Sequence, residues 1–165
     1  MKVFWMTNEQ IVNEKRVGKS GGVKYNDRET MDKRKWRHWE EKKMKYISFA
    51  IPCYNSAEYM EHAIQSILPA GEDVEIIVVN DGSKDETAEI AARYEKEYPT
   101  IVKAVNKENG GHGDAVNVGL DHATGLYYKV VDSDDWVDEE ALFKILDVVK
   151  SFVEQKKEVD MVISN

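Results

Sequence analysis

From Tyr46 onward, short apolar runs alternate with segments in which apolar residues recur at helical spacing. The runs "YISFAIP" (46–52), "EIIVVN" (75–80), "IVKAV" (101–105), "LYYKVV" (126–131) and "DMVISN" (160–165) are rich in Ile, Val and Tyr and read as strands. Between them, Tyr59, Met60, Ala63, Ile64, Ile67 and Leu68 share one helical stripe. Thr87, Ile90, Ala91, Tyr94 and Tyr98 form a second, stopped by Pro99. Ala115, Val116, Gly119, Leu120 and Ala123 form a third, and Leu142, Ile145, Leu146 and Val149 a fourth. Asn55-x-x-Glu58 and Ser83-x-x-Glu86 have the form of capping boxes and predict helix starts there. This alternation predicts an α/β fold: a Rossmann-like, mainly parallel sheet with right-handed crossovers and helices on both faces. Ligands of such sheets bind at the carboxyl ends of the strands.

The pattern fails before Tyr46. Residues 1–45 are polar and charged without sustained periodicity, and predict an irregular or partly helical arm with a helix over Asp27 to Lys43. Residues 46–165 form the folded unit. Charge divides the same way: +6 in the arm and −14 in the body, for a total of −8. An acidic body argues against duplex binding by phosphate neutralisation, so no nucleic-acid partner is expected. The body can still hold one small anion if a cation mediates. In the arm, "KRKWRHW" is read as a solvated charged helix, with contact to nucleic acid or peripheral attachment to an anionic membrane surface as the alternatives. Gly18-Lys19-Ser20 is not a phosphate-binding loop, because Asn13 stands where that motif needs glycine and no apolar strand precedes it. The lone Cys53 excludes an intramolecular disulfide, and no apolar run reaches the length of a signal peptide or membrane span. A cytoplasmic location, with the cytoplasmic membrane face as a variant, is the expectation.

Four of the strands end in polar or glycine-rich sequence: "PCYNS", "NDGSKDET", "NKENGGHGDA" and "DSDDW". Each has a plain reading. Asn80-Asp81-Gly82-Ser83 suits a turn feeding a helix; alternatively, Asp81 accepts a hydrogen bond from a ring N–H such as uracil's. "NGGHG" suits a flexible loop, or one whose backbone N–H groups approach a phosphate. It is no dinucleotide fingerprint, since Val116 replaces the third glycine. His112 reads as a surface histidine and Cys53 as a small buried apolar residue. Acids ahead of a helix complement its dipole, which accounts for Asp138, Glu139 and Glu140. It accounts poorly for Asp132, which sits at the strand end. An EF-hand fails because Trp136 and Val137 occupy positions that need a ligand and a glycine. A hard-cation site with few protein carboxylates, completed by phosphate oxygens and water, remains.

In this order, "SFAIPCYNSAEYMEHAIQSIL", "EIIVVNDGSKDET", "NGGHGDAVNVGL" and "VVDSDDW" resemble the successive motifs of family 2 glycosyltransferases, inverting enzymes of the GT-A fold. The resemblance covers the nucleotide-binding half, from Tyr46 to the end. It implies a nucleotide-diphosphate sugar donor, first of all a UDP-sugar, and an unknown glycan, lipid or protein acceptor. It places Pro52 and Tyr54 at the base and ribose, and Asp81 on the uracil-like base. Asn109, Gly110, Gly111 and Gly113, with the helix start through Asn117, fall beside the nucleotide and its diphosphate. Asp132 and Asp134 resemble the DxD pair, Asp132 nearer the ribose and Asp134 on Mn²⁺ or Mg²⁺, with Asp135 in support. The family's general base and acceptor segments follow this half, so the base is expected beyond the chain end. Nucleotide binding without robust transfer is therefore expected. A non-catalytic nucleotide-binding module is the alternative. A nucleotidyltransferase is disfavoured, because "PCYNSAEY" stands where a glycine- and arginine-rich phosphate loop would lie.

Overall fold

A computed structural model describes residues 3–7, 44–157, 159 and 161–164. The strands are β1 (Val3–Thr7), β2 (Ile47–Cys53), β3 (Val74–Asp81), β4 (Val102–Lys107), β5 (Tyr127–Val130) and β6 (Met161–Ser164). The helices are α1 (Met60–Ile67), α2 (Thr87–Glu97), α3 (His112–His122) and α4 (Glu139–Glu154). They build one six-stranded sheet in the order β4-β3-β2-β5-β1-β6. β4, β3, β2 and β5 pair in parallel. β1 runs against both β5 and β6, so the predicted last strand joins the sheet through β1 rather than directly on β5. β1 corrects the reading of the N-terminal segment as an arm without strands. "VFWMT" is β-prone, but it is too short to show a period. The helix expected over Asp27 to Lys43 lies outside the described residues.

Period-two alternation along β2 and β3 gives the sheet two apolar faces. Ile47, Phe49, Ile51, Val74, Ile76 and Val78 point to one face, where α1, α2 and α4 cover them. Each such buried side chain contributes roughly 1.5–3 kcal/mol. Ile77 and Val79 point to the other, against Ala115 of α3. α3 lies close to the sheet: a Cβ on Gly119 would fall 2.8 Å from the Ala50 Cβ and 2.9 Å from the Tyr128 hydroxyl. Helices on both faces of a mainly parallel sheet match the prediction.

α1 and α2 diverge from the capping-box expectation. α1 begins at Met60 and α2 at Thr87, and neither has a side-chain cap from Asn55 or Ser83. Those two side chains bond each other's loops instead: Asn55 N–H donates to Ser83 Oγ at 3.0 Å, and Lys84 N–H to Asn55 Oδ1 at 2.8 Å. A capping residue satisfies whichever orphan N–H is nearest, and here the neighbouring loop supplies it. By contrast α4 is capped as predicted, with Asp138 Oδ1 accepting from Ala141 N–H at 2.9 Å and Glu139 and Glu140 in the first turn.

Candidate functional site

The site opens where β2 and β5 part. Their pairing ends at Ala50 opposite Val130, with Val131 N–H donating to the Ala50 carbonyl. That side of β2 next presents Pro52, which has no N–H to leave unpaired. A gap therefore opens at the carboxyl ends without stranding a backbone donor. Chain order reverses at this point, since β3 and β4 extend to one side of β2 and β5 lies on the other.

On the β2 and β3 side, the loops are tied together. Ser56 is buried; its N–H donates to Thr87 Oγ1 at 2.9 Å, and its Oγ accepts from Tyr54 N–H at 3.2 Å. Asp85 accepts from Ala57 N–H at 3.0 Å and from both Thr87 groups. Partial burial pushes the Asp85 carboxyl up, but these donors outweigh it and hold the group below the usual range. Asn55 takes a left-handed φ of 50° at the turn, a conformation that asparagine tolerates.

Asp81 ends β3 and is 3% exposed. Its Oδ1 accepts from the Lys107 ammonium and from Gly110 N–H at 2.8 Å; its Oδ2 accepts from Gly111 N–H at 2.8 Å. Asn109 Nδ2 donates to the Asp81 carbonyl at 3.0 Å. Desolvation raises the Asp81 carboxyl, and the Lys107 and glycine donors more than reverse it, leaving it below the ordinary carboxylate range. The loop from Lys107 to Gly111 is thus folded around one buried carboxylate. Gly111, at φ 87°, turns the chain from that loop into α3.

On the β5 side the acids are open. Asp132 and Asp134 are exposed, and Asp135 N–H closes a turn onto the Asp132 carbonyl at 3.0 Å. His112 Nε2 lies 3.8 Å from Asp132 Oδ1. Lys129, half-buried below them, is depressed by desolvation, against which Asp132 and Asp135 pull it up. At the cavity the two sides meet through the Ser56 and Ser133 hydroxyls, 2.8 Å apart.

Between the sides lies a cavity of about 530 Å³. Of the residues predicted from sequence, Pro52, Tyr54, Asp81, Asn109, Gly111, Asp132 and Asp134 line it. Gly110, Gly113 and Asn117 do not; Gly110 acts from behind through its N–H on Asp81, and Asn117 is exposed on α3. The cavity also takes in Ser56, Tyr59, His112 and Ser133, which sequence reading missed as site residues. Tyr59 fitted the core stripe of α1 but is 43% exposed, just ahead of the helix. His112 is a surface histidine as expected, but it faces this cavity. Cys53 is buried as read, and burial pushes its thiol up to about 12.

The residues present fit a hard cation held mainly by its ligand. Among the described residues no group of three or more His, Cys, Asp or Glu side chains could enclose a metal. Asp132 and Asp134 offer two exposed carboxylates at the cavity wall, a shell that phosphate oxygens and water would complete. Among the described residues no helix is long and apolar enough to cross a membrane.

A family model described as Glycosyl transferase family 2 matches residues 48–154. The minor teichoic acid biosynthesis protein GgaB of Bacillus subtilis (strain 168) is 36% identical over 126 residues, covering 74% of this chain and 14% of its own length. Glycosyltransferase GlyG of Streptococcus pneumoniae serotype 4 is 36% identical over 121 residues, covering 72% of this chain and 38% of its own length. The chain therefore spans well under half of these relatives. Among solved structures, S. aureus TarS 1-349 in complex with UDP-GlcNAc superposes with a TM-score of 0.55 at 31% identity, over 67% of this chain and 31% of that one. The mannosyltransferase PcManGT from Pyrobaculum calidifontis, in complex with GDP-Man and Mn²⁺, has a TM-score of 0.55 at 25% identity, over 71% of this chain and 38% of that one.

Proposed function

The chain belongs to glycosyl transferase family 2, and on that premise we propose that it supplies the donor half of an inverting glycosyl transfer, binding a UDP-sugar with a divalent cation. One observation carries the reading: four loops distant in sequence bring Tyr54, Asp81, Asn109, Asp132 and Asp134 to a single cavity at the strand ends. A buried, ionised Asp81 accepts a ring N–H, which suits uracil. The relatives solved with UDP-GlcNAc and with GDP-Man and Mn²⁺ support a nucleotide-sugar donor and a cation. Tyr54, half-exposed beside Pro52, offers a ring face to base and ribose. Asp132 would take the ribose side and Asp134 would hold the cation, which would supply Lewis-acid stabilisation of negative charge on a departing diphosphate. Asp135 supports the pair from the turn.

A second reading is a nucleotide-binding module without transfer. The observation favouring it is that Asp81, Asp132 and Asp134 are the only carboxylates among the described residues that line the cavity, and each has a donor-side role. An inverting transfer also needs a base for the acceptor hydroxyl. Calorimetric titration with UDP, GDP and inorganic phosphate in the presence of Mn²⁺ tests the common ground. Saturable binding of UDP, weaker GDP binding and none of phosphate is expected. No nucleotide binding would overturn both readings. Release of free sugar or transfer to water from a UDP-sugar would then favour the enzyme over the module.

A further inference from the structure

Lys107 and Asp114 lie just behind the cavity and line none of it, yet they converge on its most buried acid. The Lys107 ammonium bonds Asp81 Oδ1 on one side and Asp114 Oδ2 at 2.8 Å on the other. The two glycine N–H groups that complete the Asp81 shell belong to the stretch between Lys107 and Asp114. Packing is tight there: a Cβ on Gly110 would fall 2.5 Å from Asp114 Oδ2 and 2.9 Å from Lys107 Nζ. The loop backbone thus rests directly on the ion pair. Lys107 is 15% exposed at its side chain, Asp81 4% and Asp114 52%.

We propose that Lys107 and Asp114 are positioning residues that clasp the glycine loop onto Asp81, presetting the wall against which a nucleotide base docks. The proposal rests on the nucleotide reading above. A carboxylate has about four acceptor positions. Lys107, Gly110 and Gly111 occupy three on Asp81, which leaves one for a ligand donor in the cavity. Asp114 completes the device by holding the ammonium from outside, so that the cation neutralises Asp81 without swinging across that last position. Held between the two acids, Lys107 is raised above its ordinary range by Asp114 and Asp81. Without the ammonium, Asp81 would be a buried charge held by amides alone. The loop would then trade closed for open states, and every nucleotide would have to close it.

Amide hydrogen exchange by NMR in the ligand-free protein, paired with UDP titration in Mn²⁺, tests this. The variants are Lys107→Met, Asp114→Asn and the double. Exchange at Gly110 and Gly111 should speed up about tenfold in Lys107→Met, the loss expected for a charged hydrogen bond, while Ile77 and Val79 keep their rates. UDP should bind about tenfold more weakly in Lys107→Met and about threefold more weakly in Asp114→Asn. The double variant should be no worse than Lys107→Met, because Asp114 acts through the lysine. Asp114 is half-exposed, so Asp114→Asn keeps the test open if Lys107→Met does not fold. Unchanged glycine exchange would overturn the clasp. Faster exchange with unchanged UDP affinity would reduce it to a loop staple and overturn the positioning role, as would additive losses in the double variant. Wild-type protein that binds no UDP would sink the nucleotide reading, with the ligand-free exchange rates still deciding whether the clasp exists.

Discussion

The two sides of the cavity are built on opposite principles. On the β3 side Asp81 is buried, carries three donors and is held ionised by them. On the β5 side Asp132 and Asp134 are exposed, and among the described residues no lysine or arginine pairs with Asp134. A buried carboxylate must be satisfied by the protein itself, or it protonates. An exposed one can wait for its partner in water. Under the proposed function, recognition falls to the rigid side and charge stabilisation to the open side: one acid is set before the ligand arrives, and the others are completed by what the ligand brings.

The largest effect is expected of Asp81→Ala, which removes the carboxylate shared by Lys107, Gly110 and Gly111 and leaves the ammonium to Asp114 and the Glu108 carbonyl. Stability should fall by about 3 kcal/mol in urea denaturation, the cost of breaking a largely buried ion pair. UDP affinity should fall by about a hundredfold or more, the conversion of about 2.7 kcal/mol. Asp134→Ala should do the reverse, leaving stability within about 0.5 kcal/mol of wild type while abolishing the effect of metal on binding. If both substitutions cost similar stability, the two sides are not built differently.

Ser56→Ala acts where the two sides meet. It removes the hydroxyl pair that joins the sides, and should cost about 1 kcal/mol while shifting the amide resonances of Ser133. Acid tests the β3 side by titration. The Asp81 carboxyl is depressed, so its contribution to stability is fully present above the ordinary carboxylate range and is lost as pH falls through its depressed value. Asp81→Asn should therefore flatten the acid limb of a stability–pH profile. The smallest effect concerns Cys53, whose thiol is raised to about 12 and buried. Iodoacetamide at pH 8 should leave the native protein unlabelled and modify it only after denaturation.

The division also explains what the sequence made legible. Strands such as "EIIVVN" and the stripe of α4 declare themselves by period, because burial on one face fixes residue type along the chain. The acids of "DSDDW" stood out because three carboxylates in four positions have no packing reason to be there. The contacts that carry the β3 side were not legible in the same way. Lys107 reads as a polar residue closing an edge strand, and nothing local says that its ammonium reaches Asp81, 26 residues earlier. Asn55 and Ser83 show the same limit. Their types and spacings announce helix caps, yet the space between two parallel strands pairs them with each other's loops. Local chemistry is written in the chain, whereas its partners are set by which strands become neighbours.

The decisive property of the site is whether the open acids work through a cation. UDP titrated into wild-type protein and Asp134→Ala, each with Mn²⁺ and with a chelator, measures this directly. Mn²⁺ should tighten UDP binding to the wild type about tenfold or more, with the variant showing the chelated affinity under both conditions. UDP affinity indifferent to Mn²⁺ and to the loss of Asp134 would contradict it.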